Sequence, residues 1–211
     1  MNHRNSTTAI AVTIVLLLGS IGVSAQLGLT PFSADMTIKS HGGHDMNGKV
    51  YFNGSKMRMD MTGGGHNMAM IHDMPGKVSY MLMPEQKMYM EMRAGQNMMQ
   101  RGPKMPDLKS YDPEHPCASE PDMICEKAGS ETVNGRSTDK WIFKHKNNSE
   151  MTTAWVDKKL HFPVKTMGSD GSEMDLTNIQ EGKPSASLFE IPAGYRKFDM
   201  GAMMGGVAPQ Q

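Results

Sequence analysis

Cysteine, aromatic residues and charge imbalance are all scarce in this chain. Of 211 residues two are cysteine and 6% are aromatic, and 22 basic side chains meet 22 acidic ones for a formal net charge of +0. Balanced charge removes the electrostatic case for binding nucleic acid or a strongly anionic membrane. Cys117 and Cys125 do not form Cys-x-x-Cys, so a redox pair is not expected, and with only His115 beside them they make no convincing zinc site. The sequence also lacks His-Glu-x-x-His, Gly-x-Ser-x-Gly, a phosphate-cradling glycine loop and a nucleophilic cysteine setting. No pair of carboxylates is singled out by its surroundings, and the chain reads as non-catalytic. Sustained helical periodicity is missing beyond the N-terminal segment, which points to an all-β class with few short helices.

The one long apolar run is at the start. Asn2, His3 and Arg4 lead into an apolar stretch over residues 10–23, and Val23-Ser24-Ala25 supplies the small residues that signal peptidase prefers. Residues 1–25 are expected to be a secretory signal peptide, the alternative being a retained anchor. Thr13, Gly19 and Ser20 interrupt the run, which is short for a span of about 20 residues. The expected location is the periplasm or the extracellular space, with peripheral contact with the cell envelope possible. In an oxidising compartment Cys117 and Cys125, flanked by Pro116 and Pro121, read as a disulfide closing a small loop.

What is abundant is methionine, 24 residues in all. It returns at every second position: Met57, Met59 and Met61; Met68 and Met70; Met81 and Met83; Met88, Met90 and Met92. A period of two places each run on one face of a β-strand. The intervening Arg58, Asp60, Tyr89 and Glu91 suit a solvent face, so the methionines are expected to point inward. Residues 77–83 depart from this pattern, because Val78, Tyr80 and Leu82 oppose Met81 and Met83. A strand apolar on both sides implies that something packs on its outer face.

Strands are expected at 32–39, 50–52, 55–61, 67–74, 77–83 and 87–93, forming a meander joined at Asn53-Gly54, Gly63-Gly64-Gly65, Pro75-Gly76 and Pro84-Glu85-Gln86. A loop is expected at 41–47. Residues 94–127 carry five prolines and the cysteines and read as an irregular insertion, with one short helix near 96–100. Strands resume at 131–134 and continue at 138–146, 151–156, 160–167 and 173–179, with a second Asn-Gly turn at Asn134-Gly135. Residues 26–199 form one domain in this reading, and 200–211 a disordered tail. Ten or eleven strands in one sheet must curl, so the concave face becomes a groove.

The ending Asn178-Ile179 and Ser187-Leu188-Phe189-Glu190-Ile191-Pro192-Ala193-Gly194-Tyr195 resembles that of the lipoprotein-sorting, LolA-like superfamily. Tyr51 to Met61, Tyr80 to Met92 and Cys125 to Trp141 resemble more closely a family of uncharacterised bacterial envelope proteins within that group. The resemblance covers most of residues 32–198. It implies a large curled antiparallel sheet forming a half-open LolA-like β-barrel, which in the lipoprotein carriers holds acyl chains on its concave face. Those carriers cover the groove with several helices, and this sequence offers almost none.

Three uses of the methionine face are open. It can be core, since methionine fills irregular gaps as leucine would. It can bind an apolar small molecule, a lipid, an acyl chain or a hydrophobic peptide, because flexible thioethers re-pack around varied shapes. On that reading the ligand residues are Met57, Met59, Met61, Met68, Met70, Met81, Met83, Met88, Met90 and Met92, and no cofactor is needed. It can also handle copper(I) or silver(I), which thioethers and imidazoles suit. His-x-Met occurs three times, as His44-Asp45-Met46, His66-Asn67-Met68 and His72-Asp73-Met74. Meander geometry puts the loops at 41–47 and 63–66 at one end of the sheet and Pro75-Gly76 at the other. The metal candidates are therefore His41, His44, Met46, His66 and Met68, with His72 and Met74 set apart. The sequence does not specify an oligomeric state.

Overall fold

Alternation of apolar and polar side chains, broken at short intervals by glycine, proline and asparagine, leaves this chain little choice but strands. The computed structural model describes residues 29–43, 45–93, 114–118, 120–147 and 149–198. The expected signal peptide at 1–25, the short helix near 96–100, most of the 94–127 insertion and the tail at 200–211 lie outside the described residues. So does His44. Among the described residues no helix is long and apolar enough to cross a membrane.

The first meander runs β1 Phe32–Lys39, β2 Met46–Phe52, β3 Lys56–Gly63, β4 His66–Asp73, β5 Val78–Met83 and β6 Met88–Arg93. The second runs β7 Met123–Val133, β8 Arg136–His145, β9 Met151–Asp157, β10 Pro163–Gly168 and β11 Glu173–Glu181. A 3-10 turn at Ala186–Phe189 leads to the two-residue β12, Arg196–Lys197. All twelve strands belong to one sheet in the order β12-β6-β5-β4-β3-β2-β1-β11-β10-β9-β8-β7. Pairing is antiparallel throughout except for β12, which lies parallel to β6. The two ends of the order do not meet, so the barrel is half-open.

The turns follow from their residues. At the β2–β3 turn Asn53 Oδ1 accepts hydrogen bonds from the backbone N–H groups of Ser55 and Lys56, at 3.0 and 2.8 Å. At the β7–β8 turn Asn134 and Gly135 both take positive φ, 49° and 76°, the pair of values that a two-residue hairpin matching strand twist requires.

Most boundaries shift by up to three residues from expectation, and two differ by more. Met46 and Asn47 belong to β2 rather than to the preceding loop, because they pair with Ile38 and Thr37 of β1. Strand β7 begins at Met123, inside the segment read as irregular. It is the sheet's outermost strand and mostly exposed, so it carries no buried alternation to reveal it. A bulge between Lys127 and Ser130 further breaks its pattern. Cys125 lies on this strand and is joined to Cys117 in a disulfide, with the Cα atoms 5.8 Å apart.

The curl is visible in side chains that reach across several strands. Phe162, just before β10, places its ring centroid 5.2 Å from Phe32 on β1 and 6.4 Å from Phe52 on β2. Asn134, at the far hairpin, donates from Nδ2 to the Leu176 carbonyl on β11 at 2.8 Å. These contacts gather Phe32, Ala34, Met36, Val50, Phe52, Met57, Leu160, Val164 and Leu176 into one buried core on the concave face. The core fills one end of the half-barrel, the end with the β2–β3, β7–β8 and β9–β10 turns.

Candidate functional site

The register of β2 to β6 sets the methionines in rows. Met59, Met70, Met81 and Met90 pair in sequence across β3, β4, β5 and β6. One pleat away Met61 faces Met68 and Met83 faces Met88. One pleat in the other direction run Met57, His72, Ser79 and Met92. Phe52 is the β2 partner of Met57 and Val50 that of Met59, so the rows continue the concave core. All ten candidate ligand methionines thus share one face. Met57, 4% exposed, is core, and the other nine are half-buried. At strand spacings of about 4.8 Å across and about 6.8 Å per two residues, the field measures roughly 14 by 14 Å.

The opposite face of the same strands is covered. Ala69, Ile71 and Leu82 are buried there against Tyr80, Tyr89, Ile191 and Tyr195. The C-terminal segment is held by Arg58 Nη1, which donates to the Leu188 carbonyl at 2.9 Å, and by the N–H groups of Arg196 and Phe198, which donate to the carbonyls of Lys87 and Tyr89 at 2.9 and 2.7 Å. This is the outer layer that Val78, Tyr80 and Leu82 called for. A hollow of about 350 Å³ opens on this outer side over β2 to β4, lined mainly by Lys49, Arg58, Asp60, Thr62, Asn67 and Ala69, which alternate with the methionines.

The candidate metal residues are placed less closely together. Gly63 pairs with His66, and Met46 lies against Gly63, its Cγ 2.6 Å from where a Cβ would be. Met46, His66 and Met68 therefore share an end and a face. His41 turns elsewhere. The Asp170 carboxyl is held below its ordinary range first by the Ser172 hydroxyl and backbone N–H, with a smaller contribution from His41. Glu85 is lowered chiefly by the Asn67 N–H and, more weakly, by His66. The two histidines thus sit beside different carboxylates, on either side of β2 and β3 in the strand order. Among the described residues no three of His, Cys, Asp and Glu gather as a metal would need.

Sequence spacing set His72 aside with the far turn. The register places it inside the methionine field, half-buried, with Nδ1 2.7 Å from Ser79 Oγ. Burial pushes its pKa below the ordinary value, so the imidazole is neutral.

Residues 33–161, from β1 to the turn after β9, match the family model described as Domain of unknown function (DUF4412). The chain belongs to that family. No protein of curated function matches the sequence. Among solved structures, the DUF4412 chain is similar to an uncharacterized conserved protein from Thermus thermophilus, with TM-score 0.54, 9% identity, and 80% and 90% of the two chains covered. It is similar to MucB, with TM-score 0.51, 12% identity, and 81% of this chain against 60% of MucB. MucB is also known in complex with MucA(peri). A LolA superfamily protein from Nitrosomonas europaea matches at TM-score 0.35 and 10% identity, over 76% and 90% of the two chains. At these identities the property shared with the Thermus thermophilus protein and with MucB is the fold.

Proposed function

We propose that this protein is an exported, non-catalytic carrier that holds a single apolar ligand, foremost an acyl chain, on the methionine rows. The observation that carries this reading is the contrast between the two faces of β3 to β6. The outer face has its own chain laid over it, whereas nine methionines on the inner face stay half-buried, and seven of them, all but Met59 and Met61, lie outside the core cluster. Methionine there gives an apolar lining that re-packs around a mobile chain without fixing one shape. About ten methylenes laid across the field would stabilise the complex by roughly 8 kcal/mol before ordering costs are subtracted. Export follows from the leader-like residues 1–25, and the periplasm suits the disulfide. MucB, which shares the fold, takes a protein partner, so a hydrophobic peptide is the competing occupant of the same rows.

The test is to purify the chain from its envelope fraction, extract it with organic solvent and titrate the stripped protein with a fluorescent fatty acid. Co-purifying acyl lipid and saturable displacement by unlabelled fatty acid are expected. Protein free of extractable lipid and indifferent to the probe would sink the reading.

A further inference from the structure

We infer that His72, with the thioethers near it, forms a binding site for a soft monovalent metal ion, copper(I) or silver(I), in the row of the methionine field that adjoins the core. His72 has Met57 as its β3 partner and Ser79 as its β5 partner. Met70 precedes it on the same face of β4, and Met59 and Met81 flank Met70 across the ladders. Cross-strand neighbours on one face stand about 5 Å apart at Cβ, and diagonal ones about 7 to 8 Å, within reach of a side chain as long as methionine. The imidazole thus has four thioethers within reach, one across the ladder, one two residues before it on β4 and two on the diagonals. No other histidine among the described residues lies in these rows.

The donor set selects the ion. Thioether sulfur and neutral imidazole are soft or borderline ligands that favour copper(I) and its analogue silver(I) over magnesium, calcium or manganese. The ring of donors carries no formal charge, and a half-buried site without a counter-charge admits a monovalent ion at far lower desolvation cost than a divalent one. Ser79 adds the second feature that such sites show. Histidines that hold metals usually engage their other ring nitrogen with a neighbouring polar group, which fixes tautomer and ring direction. Ser79 is 5% exposed, and its Oγ sits 2.7 Å from Nδ1. When Nδ1–H donates to that oxygen, the Nε2 lone pair is left for the ion. The polar pair His72–Ser79 within otherwise apolar rows has no part in acyl binding, so this inference does not depend on the carrier reading.

The experiment uses the mature full-length chain, anaerobic copper(I) and bicinchoninate as the competing chromophoric chelator, with silver(I) for nitrogen-detected NMR of the imidazoles. The wild type should strip copper(I) from the chelator, and silver(I) should move the His72 nitrogen resonances alone. Ser79→Ala, which leaves every donor in place, should weaken binding about 10- to 100-fold. Met70→Leu/Met81→Leu should weaken it comparably, and His41→Ala/His66→Ala should leave it unchanged. Failure of the wild type to compete overturns the site. So does affinity that survives His72→Gln or falls in the His41→Ala/His66→Ala variant. Circular dichroism and the thermal midpoint establish that each variant is folded.

Discussion

The backbone carbonyl of Asp60 occupies the place that a side chain at Gly48 would need, since a Cβ there would stand 1.8 Å from that oxygen. Gly48 pairs with Met61, so this close approach of β2 to β3 lies beside the Met61–Met68 pair. Gly48→Ala must push backbone against backbone and should cost about 3 kcal/mol or more, at the top of the overpacking range. Gly63→Ala meets the flexible Met46 side chain first and should cost less. Urea denaturation of the two variants gives the comparison. Equal midpoints would contradict the observed β2–β3 register.

Met59, Met70, Met81 and Met90 make the central row, and leucine nearly conserves their volume and apolarity. Each Met→Leu change should shift stability by less than about 1.5 kcal/mol and leave fatty-acid affinity within a few-fold. Met81→Lys, at the middle of the row, should abolish probe binding by placing a charge in the acyl path. A lysine variant that binds the probe normally would move the ligand off this face.

Acid should destabilise the protein in two separate windows. Burial lowers the pKa of His72 from its ordinary 6.5. The unfolded chain therefore takes up that proton first, and stability declines as pH falls below about 6.5. Burial acts to raise Asp139, but hydrogen bonds from Lys127, Ser130 and Lys158 outweigh it and lower the carboxyl from 3.8 to about 2. That contribution is intact above pH 3.8 and is lost as pH falls toward 2. His72→Gln should flatten the upper limb only, and Asp139→Asn the lower one. Denaturant midpoints measured from pH 8 to pH 2 would separate them.

The disulfide joins Cys117 and Cys125 across a sequence separation of 8. By loop-closure entropy it should add roughly 2 to 3 kcal/mol. It ties Cys125, on the outermost strand, to a segment before that strand, so its loss should first loosen β7. Hydrogen exchange with and without reductant should show amides of Met123 to Lys127 exchanging faster while those of β1 and β2 hold. Uniform acceleration would mean that the disulfide supports the whole sheet.

Much of this molecule is written in its period of two. Met57, Met59 and Met61 announce both a strand and the side it buries, and Asn53-Gly54 and Asn134-Gly135 announce the turns, because those signals are local. What the sequence hides depends on register. Spacing along β4 puts His72 on the face of Met68 and Met70, but its neighbours Met57 and Ser79 follow only from pairing, which no spacing along the chain contains. The start of β7 at Met123 is hidden for another reason, since an exposed outer strand has no apolar face to alternate. Val78, Tyr80 and Leu82 signalled an outer layer. That Ile191 and Tyr195 supply it is visible only in three dimensions.

The C-terminal segment does two jobs on the outer face, and removing it should expose both. Ile191 and Tyr195 cover Ala69, Ile71 and Leu82, and the N–H groups of Arg196 and Phe198 occupy the carbonyls of Lys87, just before β6, and Tyr89 within it. A chain ending at residue 185 would present an apolar patch beside an unpaired strand edge, the combination that invites association with other sheets. Tyr195→Ala alone keeps the edge pairing and should cost about 1 to 2 kcal/mol through lost burial, without self-association. Truncation should both destabilise the fold and shift the light-scattering mass upward with concentration. If the truncated chain keeps the mass and the melting temperature of the full chain, the segment is a passenger and the outer face does not need it. If Tyr195→Ala associates as strongly as the truncation, the patch drives assembly and the β6 edge does not.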